Sequence, residues 1–180
     1  MGPAPGAGRP SPIRVFGIGN PWRRDDAAGP VTARILRDMH LPGVEVREVS
    51  DGGTTILNAW GPSDRVFLID AAVSGAPAGS IHRIDARAGA IPSDVFPCST
   101  HALGAAEVAE FARALGRLPE VLVVYGVEGC DFEHGEGMTG EVAGACRKAA
   151  EEIRREIELL GEGTLPASGN SSLIERGPHA

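Results

Sequence analysis

The order of apolar and polar positions along the chain predicts strands and helices in alternation. Ile13 to Ile18 (IRVFGI) is a short apolar run closed by Gly19-Asn20-Pro21, the pattern of a buried strand running into a loop. Val31, Ile35 and Met39 then recur at helical spacing and predict a helix that stops before Pro42-Gly43. Val44 to Val49 (VEVREV) alternates strictly, as a half-buried strand does. Asp51-Gly52-Gly53 reads as a turn, and Thr54 to Trp60 as a short helix. Arg65 to Asp70 (RVFLID) places four apolar residues in a row ahead of a carboxylate, the clearest strand in the sequence. Ser80 to Asp85 alternates again and reads as an edge strand. Ala102 to Leu115 is Ala-rich and helical, and Val121 to Val127 is a further buried strand. From Glu141 to Leu160, the residues Val142, Cys146, Ala149, Ile153, Ile157 and Leu160 fall at three- and four-residue steps, which predicts a long amphipathic helix. Glu151 and Arg155 form an i,i+4 pair on its outer face.

Apolar runs in strands that alternate with helices indicate an α/β fold: a single domain with a twisted, largely parallel sheet of about five strands, flanked by helices on both faces. The domain spans residues 13–160. Residues 1–12 and 161–180 carry too few apolar groups to offset the entropy of ordering and read as flexible segments.

Composition narrows the function classes. A hydrophobic share of 42% and a charged share of 23% are ordinary for a soluble globular protein. The formal net charge of -7 argues against nucleic acid or an anionic membrane surface as the partner. The three cysteines, Cys98, Cys130 and Cys146, are widely spaced and fit neither a disulfide framework nor a zinc-finger pattern. Cys146 lies on the apolar stripe of the last helix and is expected in the core. The N-terminus lacks an apolar stretch of signal-peptide length, and no run approaches the ~18 apolar residues needed to span a bilayer. A cytoplasmic monomer is the expectation.

In an open parallel sheet, ligands collect at the carboxyl ends of the strands. Two acids belong there: Asp70, which ends RVFLID, and Asp26, in the loop after IRVFGI. His101 follows the segment Phe96 to Thr100 and opens a predicted helix, which makes it the best nitrogen candidate. Two carboxylates and a neutral imidazole suit nickel or zinc, and three protein ligands leave a position open for a substrate group. Asp26 has a competing role as a helix N-cap. Pro30 favours the first helical position, which would make Gly29 the cap and leave Asp26 outside the helix. Asp70 could instead be a turn residue, and His101 a surface or capping histidine. His40, His82, His134 and His179 show no partner pattern, and His134 in the acidic stretch 131–136 reads as an inert surface residue.

Gly17-x-Gly19 after a strand resembles the start of a dinucleotide fingerprint, with Arg23-Arg24 nearby, but Trp22 stands where the third glycine belongs. A nucleotide-binding regulator is therefore a weak alternative. No Gly-x-Ser-x-Gly elbow occurs, and no cysteine sits in a nucleophile context.

An ordered set of short motifs resembles the hydrogenase maturation endopeptidases. It comprises Gly17 to Pro21, Arg24 to Pro30, Asp51-Gly52-Gly53-Thr54, Leu68 to Ala71, Ser99-x-His101-x-x-Gly104-x-x-Glu107, Gly126-Val127-Glu128, and Gly137-Met138-Thr139-x-Glu141-Val142. The resemblance implies that Asp26, Asp70 and His101 bind nickel. It implies an endopeptidase that clips the C-terminal extension from the large-subunit precursor of a nickel-iron hydrogenase once nickel is loaded. Nickel would then be presented by the substrate and held transiently, with zinc or another divalent metal able to substitute. Peptide cleavage would be aspartic-type through Asp26 and Asp70, or metal-assisted. Asp51, Gly52, Gly53 and Thr54 would form a turn that contacts substrate. The sequence departs from the family at Thr55-Ile56 and at Gly129, where proline is usual. A non-proteolytic nickel- or zinc-binding accessory protein using the same three residues is the alternative.

Overall fold

The computed structural model describes residues 11–50, 53–96, 103–162 and 171–173. Strand β1 (Ile13–Ile18) is followed by a 3-10 turn (Arg24–Ala27) that feeds helix α1 (Ala28–Asp38) and strand β2 (Val44–Val49). A second 3-10 turn (Gly53–Ile56) leads to β3 (Arg65–Ala72) and β4 (Ile81–Asp85). Helix α2 (Ala105–Ala114), β5 (Val121–Glu128), α3 (Gly140–Gly161) and β6 (Ser171–Leu173) complete the order.

The strands form one sheet in the order β2-β1-β3-β5-β4-β6. Strands β2, β1, β3 and β5 are parallel, β4 runs antiparallel to β5, and β6 antiparallel to β4. The expected five strands are present, and 171–173 adds a sixth outside β4, so β4 is not the edge. Alternation within the strands splits the core between two faces. Ile13, Val15, Phe67, Ile69, Val123, Tyr125 and Val127 pack under α1 and α3, while Phe16, Ile18, Val66, Leu68, Leu122 and Val124 pack under α2, Ile56 and Trp60. Cys146 is buried in the first of these clusters. Among the described residues no helix is long and apolar enough to cross a membrane.

Helix α1 begins two residues before Pro30, so the expected arrangement with Pro30 first and Gly29 as cap is corrected. The 3-10 turn starts the coiling early, with the Ala28 N–H already bonded to the Asp25 carbonyl, and Pro30 falls in the first turn, where its missing N–H costs nothing. Glycines set how closely α1 approaches the sheet. A Cβ on Gly29 would lie 2.1 Å from the Ile18 carbonyl oxygen and 2.5 Å from that of Ile69. A Cβ on Gly17 would lie 2.2 Å from the Gly29 carbonyl oxygen. The Gly-x-Gly of the first loop therefore serves close helix-on-strand packing.

Candidate active site

The strand order reverses direction between β1 and β3, and in a doubly wound sheet the carboxyl ends of the strands at such a switch point are where the ligand crevice forms. Asp26 lies in the turn after β1, and Asp70 lies near the end of β3 on the α2 side of the sheet. The two acids chosen from the sequence thus flank one crevice.

Asp70 is buried, with its Oδ1 accepting the Ala71 N–H (2.8 Å) and its Oδ2 accepting the Ala105 N–H at the start of α2 (2.9 Å). Burial raises its pKa to about 7; the two N–H donors oppose this, and the charges of Asp26 and Glu107 add to it. Asp26 is half-buried, and its Oδ2 accepts the Asn20 N–H at 3.2 Å. Burial also raises its pKa, against the Asn20 N–H and the positive charge of Arg23. Two carboxylates that each disfavour ionisation, with Asp70 also feeling the charge of Asp26, make a pair suited to a shared proton or to a cation.

Gly104 explains part of the His-containing motif. A Cβ there would sit 2.7 Å from the Asp70 Oδ2, so glycine lets the start of α2 reach that carboxylate. Glu107 closes back on the same turn, accepting the Gly104 N–H at 3.0 Å. His101, Asp51 and Gly52 lie outside the described residues. Gly53 and Thr54 fall in the 3-10 turn after β2, in place of the longer helix expected over 54–60. Among the described residues no group of three His, Cys, Asp or Glu side chains converges for a metal.

Among the buried carboxylates whose partners escaped the sequence reading, Asp25 and Glu128 lie closest to the strand ends of the site. Asp25 is fully buried and turns away from the crevice. Its Oδ2 accepts the N–H groups of Cys130 (3.0 Å) and Asp131 (3.0 Å), and its Oδ1 accepts the Thr139 N–H (2.8 Å) and hydroxyl (3.1 Å). Burial alone would raise its pKa, but those donors together hold it below the usual aspartate value. Glu128, at the end of β5, accepts the N–H groups of Ser74 and Gly75 (both 2.8 Å) and the Ser74 hydroxyl (2.9 Å), and it meets His82 Nε2 at 3.1 Å. His82, for which no partner was foreseen, is thus part of an anchor for the loop after β3. His134 is exposed, as expected.

The doubly wound α/β sheet with two acids near its switch point defines the class of fold, and among the described residues Gly17 and Gly19 are closed off by the backbones of Gly29 and Asp26 rather than open to a phosphate. The family model for hydrogenase maturation protease (HycI) matches residues 32–156, and the chain belongs to that family. The matched stretch contains Asp70 and His101, while Asp26 precedes it. The structure is similar to that of an endopeptidase from Escherichia coli, with 28% identity, 86% of this chain and 95% of the other covered, and a TM-score of 0.66. It is similar to the hydrogenase maturating endopeptidase HybD from E. coli, with 25% identity, coverage of 90% and 96%, and a TM-score of 0.66. The NiFe hydrogenase maturation protease HycI from Thermococcus kodakarensis KOD1 shares the fold, with 24% identity, coverage of 81% and 91%, and a TM-score of 0.63. No curated protein matches the chain.

Proposed function

We propose that this protein removes the C-terminal extension from the large-subunit precursor of a nickel-iron hydrogenase after nickel has been inserted. The observation that carries the reading is the Asp26–Asp70 pair at the switch point, where burial, and at Asp70 the charge of Asp26, make ionisation costly and a bound cation would offset that cost. The metal is substrate cargo: a precursor that presents nickel to these carboxylates is held with its tail at the crevice, and a precursor without nickel is not. His101 supplies the third ligand, and zinc or another divalent ion can replace nickel in binding. Asp51, Gly52, Gly53 and Thr54, after the neighbouring strand β2, contact the bound tail.

The chemistry assigned to the chain's own residues is proton handling. Asp70, with a pKa of about 7, carries a proton part of the time at neutral pH and can give or take one at a peptide group in the crevice. Asp26, more open to solvent, is the partner that receives or positions water.

Intact-mass spectrometry of a nickel-loaded precursor mixed with the protein tests the reading. A loss of mass equal to the tail, with no loss from nickel-free precursor, is expected. Binding of the nickel-loaded precursor without any change in mass would replace the protease with a metal-binding accessory protein.

A further inference from the structure

Arg24 is one of two described non-glycine residues with a positive φ, at 45°. Such a backbone costs a residue with a side chain of the order of 1 kcal/mol, and it persists only where its surroundings over-determine it. Here they do. The Arg24 N–H bonds the Gly135 carbonyl (3.1 Å), the Gly135 N–H bonds the Trp22 carbonyl (2.9 Å), and the Asp25 N–H bonds the Asp131 carbonyl (3.0 Å). The Arg24 guanidinium pairs with Asp131. Inside this frame the Asp25 carboxylate gathers the donors from Cys130, Asp131 and Thr139. The residue that follows Arg24 and Asp25 in the chain is Asp26, inside the same one-turn 3-10 coil.

We infer that Asp25 is a positioning residue for the reaction: its buried carboxylate locks the strained turn 22–27 onto loop 129–139 and so fixes where the Asp26 carboxylate points. This rests on the reading of Asp26 as a working residue, and it adds that half of the Asp25-Asp26 pair is spent on aiming the other half. Among the described residues Asp26 has a single backbone donor, the Asn20 N–H at 3.2 Å, too little to orient it unaided. The precision must come from the turn, and a small misplacement of a reacting group can cost orders of magnitude in rate.

The test compares Asp25→Asn with Glu156→Gln. Glu156 is a part-buried carboxylate that holds Arg83 and Tyr125 on the far part of α3, remote from the crevice. Both variants should lower Tm. Only Asp25→Asn should lower kcat on nickel-loaded precursor, by about tenfold or more, with KM within about twofold. Hydrogen exchange should show faster exchange at residues 22–27 while α3 and the sheet keep their protection. Wild-type kcat in folded Asp25→Asn, or an equal fall in both variants, would overturn the inference. If Asp25→Asn does not fold, Thr139→Val removes the hydroxyl donor alone; kcat should fall by about two- to fivefold, and an unchanged kcat would overturn the inference. Failure of the wild-type protein to process precursor would end the protease reading instead. The exchange data would then decide this inference, and unaltered exchange at 22–27 would refute it.

Discussion

Replacing Asp70 by Asn should change how stability depends on pH, and the size of the change follows from its surroundings. Asp70 is buried near Asp26 and Glu107, and its pKa rises from 3.8 to about 7. A carboxyl whose folded pKa lies above its unfolded value holds a proton in the folded state that the unfolded chain has already released. Stability is therefore full below about pH 3.8, falls as pH rises, and levels off above about pH 7. The slope approaches about 1.4 kcal/mol per pH unit, which gives a loss of about 2–3 kcal/mol between pH 5 and pH 8. Asp70→Asn does not titrate and lacks this loss. Its amide keeps one acceptor for the Ala71 or Ala105 N–H and disturbs the other, a cost that is constant with pH. Urea unfolding of both proteins at half-unit steps from pH 5 to pH 8 isolates the effect as the difference between them. The variant should gain about 2–3 kcal/mol on the wild type across that range. A difference that stays flat with pH would refute the reasoning and show that Asp70 is ionised in the folded protein throughout.

Other substitutions separate packing from chemistry. Gly29→Ala places a methyl group 2.1 Å from the Ile18 carbonyl oxygen, and because backbone cannot yield, thermal unfolding should show a loss of about 3 kcal/mol or more. Glu128→Ala leaves the Ser74 and Gly75 N–H groups and His82 without their carboxylate, so it should cost about 3 kcal/mol and expose the loop 73–80 to limited proteolysis. His101→Ala should abolish processing of nickel-loaded precursor while leaving the Tm within about 2 °C of wild type; processing at the normal rate would remove histidine from the site.

Much of the fold is legible in the sequence because the strands carry strong signals. Strands β1 and β2 begin and end at the residues that periodicity and turn chemistry indicate, and α3 differs by one residue at each end. The start of α1 is less legible. A proline prefers the first helical position, yet here a 3-10 turn had already satisfied the leading N–H groups, which left Pro30 free to sit two residues further in. Strand β6 pairs only three residues with β4, too short for any pattern. Within the site, Asp26 and Asp70 are readable from their places at strand ends. Which of two adjacent carboxylates turns inward is not, since the donors that claim Asp25 lie between Cys130 and Thr139, more than a hundred residues away. His82 and Glu128 escape for the same reason: they meet because β4 and β5 pair side by side. The glycines carried a signal that could be misread. Gly17 and Gly19 look like a phosphate loop until the backbones of α1 and the Asp26 turn are seen to occupy the space beside them.

The most direct test of Asp26 and Asp70 as the working pair is the turnover of nickel-loaded large-subunit precursor by Asp26→Asn and Asp70→Asn, each shown to be folded by circular dichroism. Each should process the precursor at least about 100-fold more slowly than wild type. Turnover at the wild-type rate by either folded variant would contradict the assignment of the active site to this crevice.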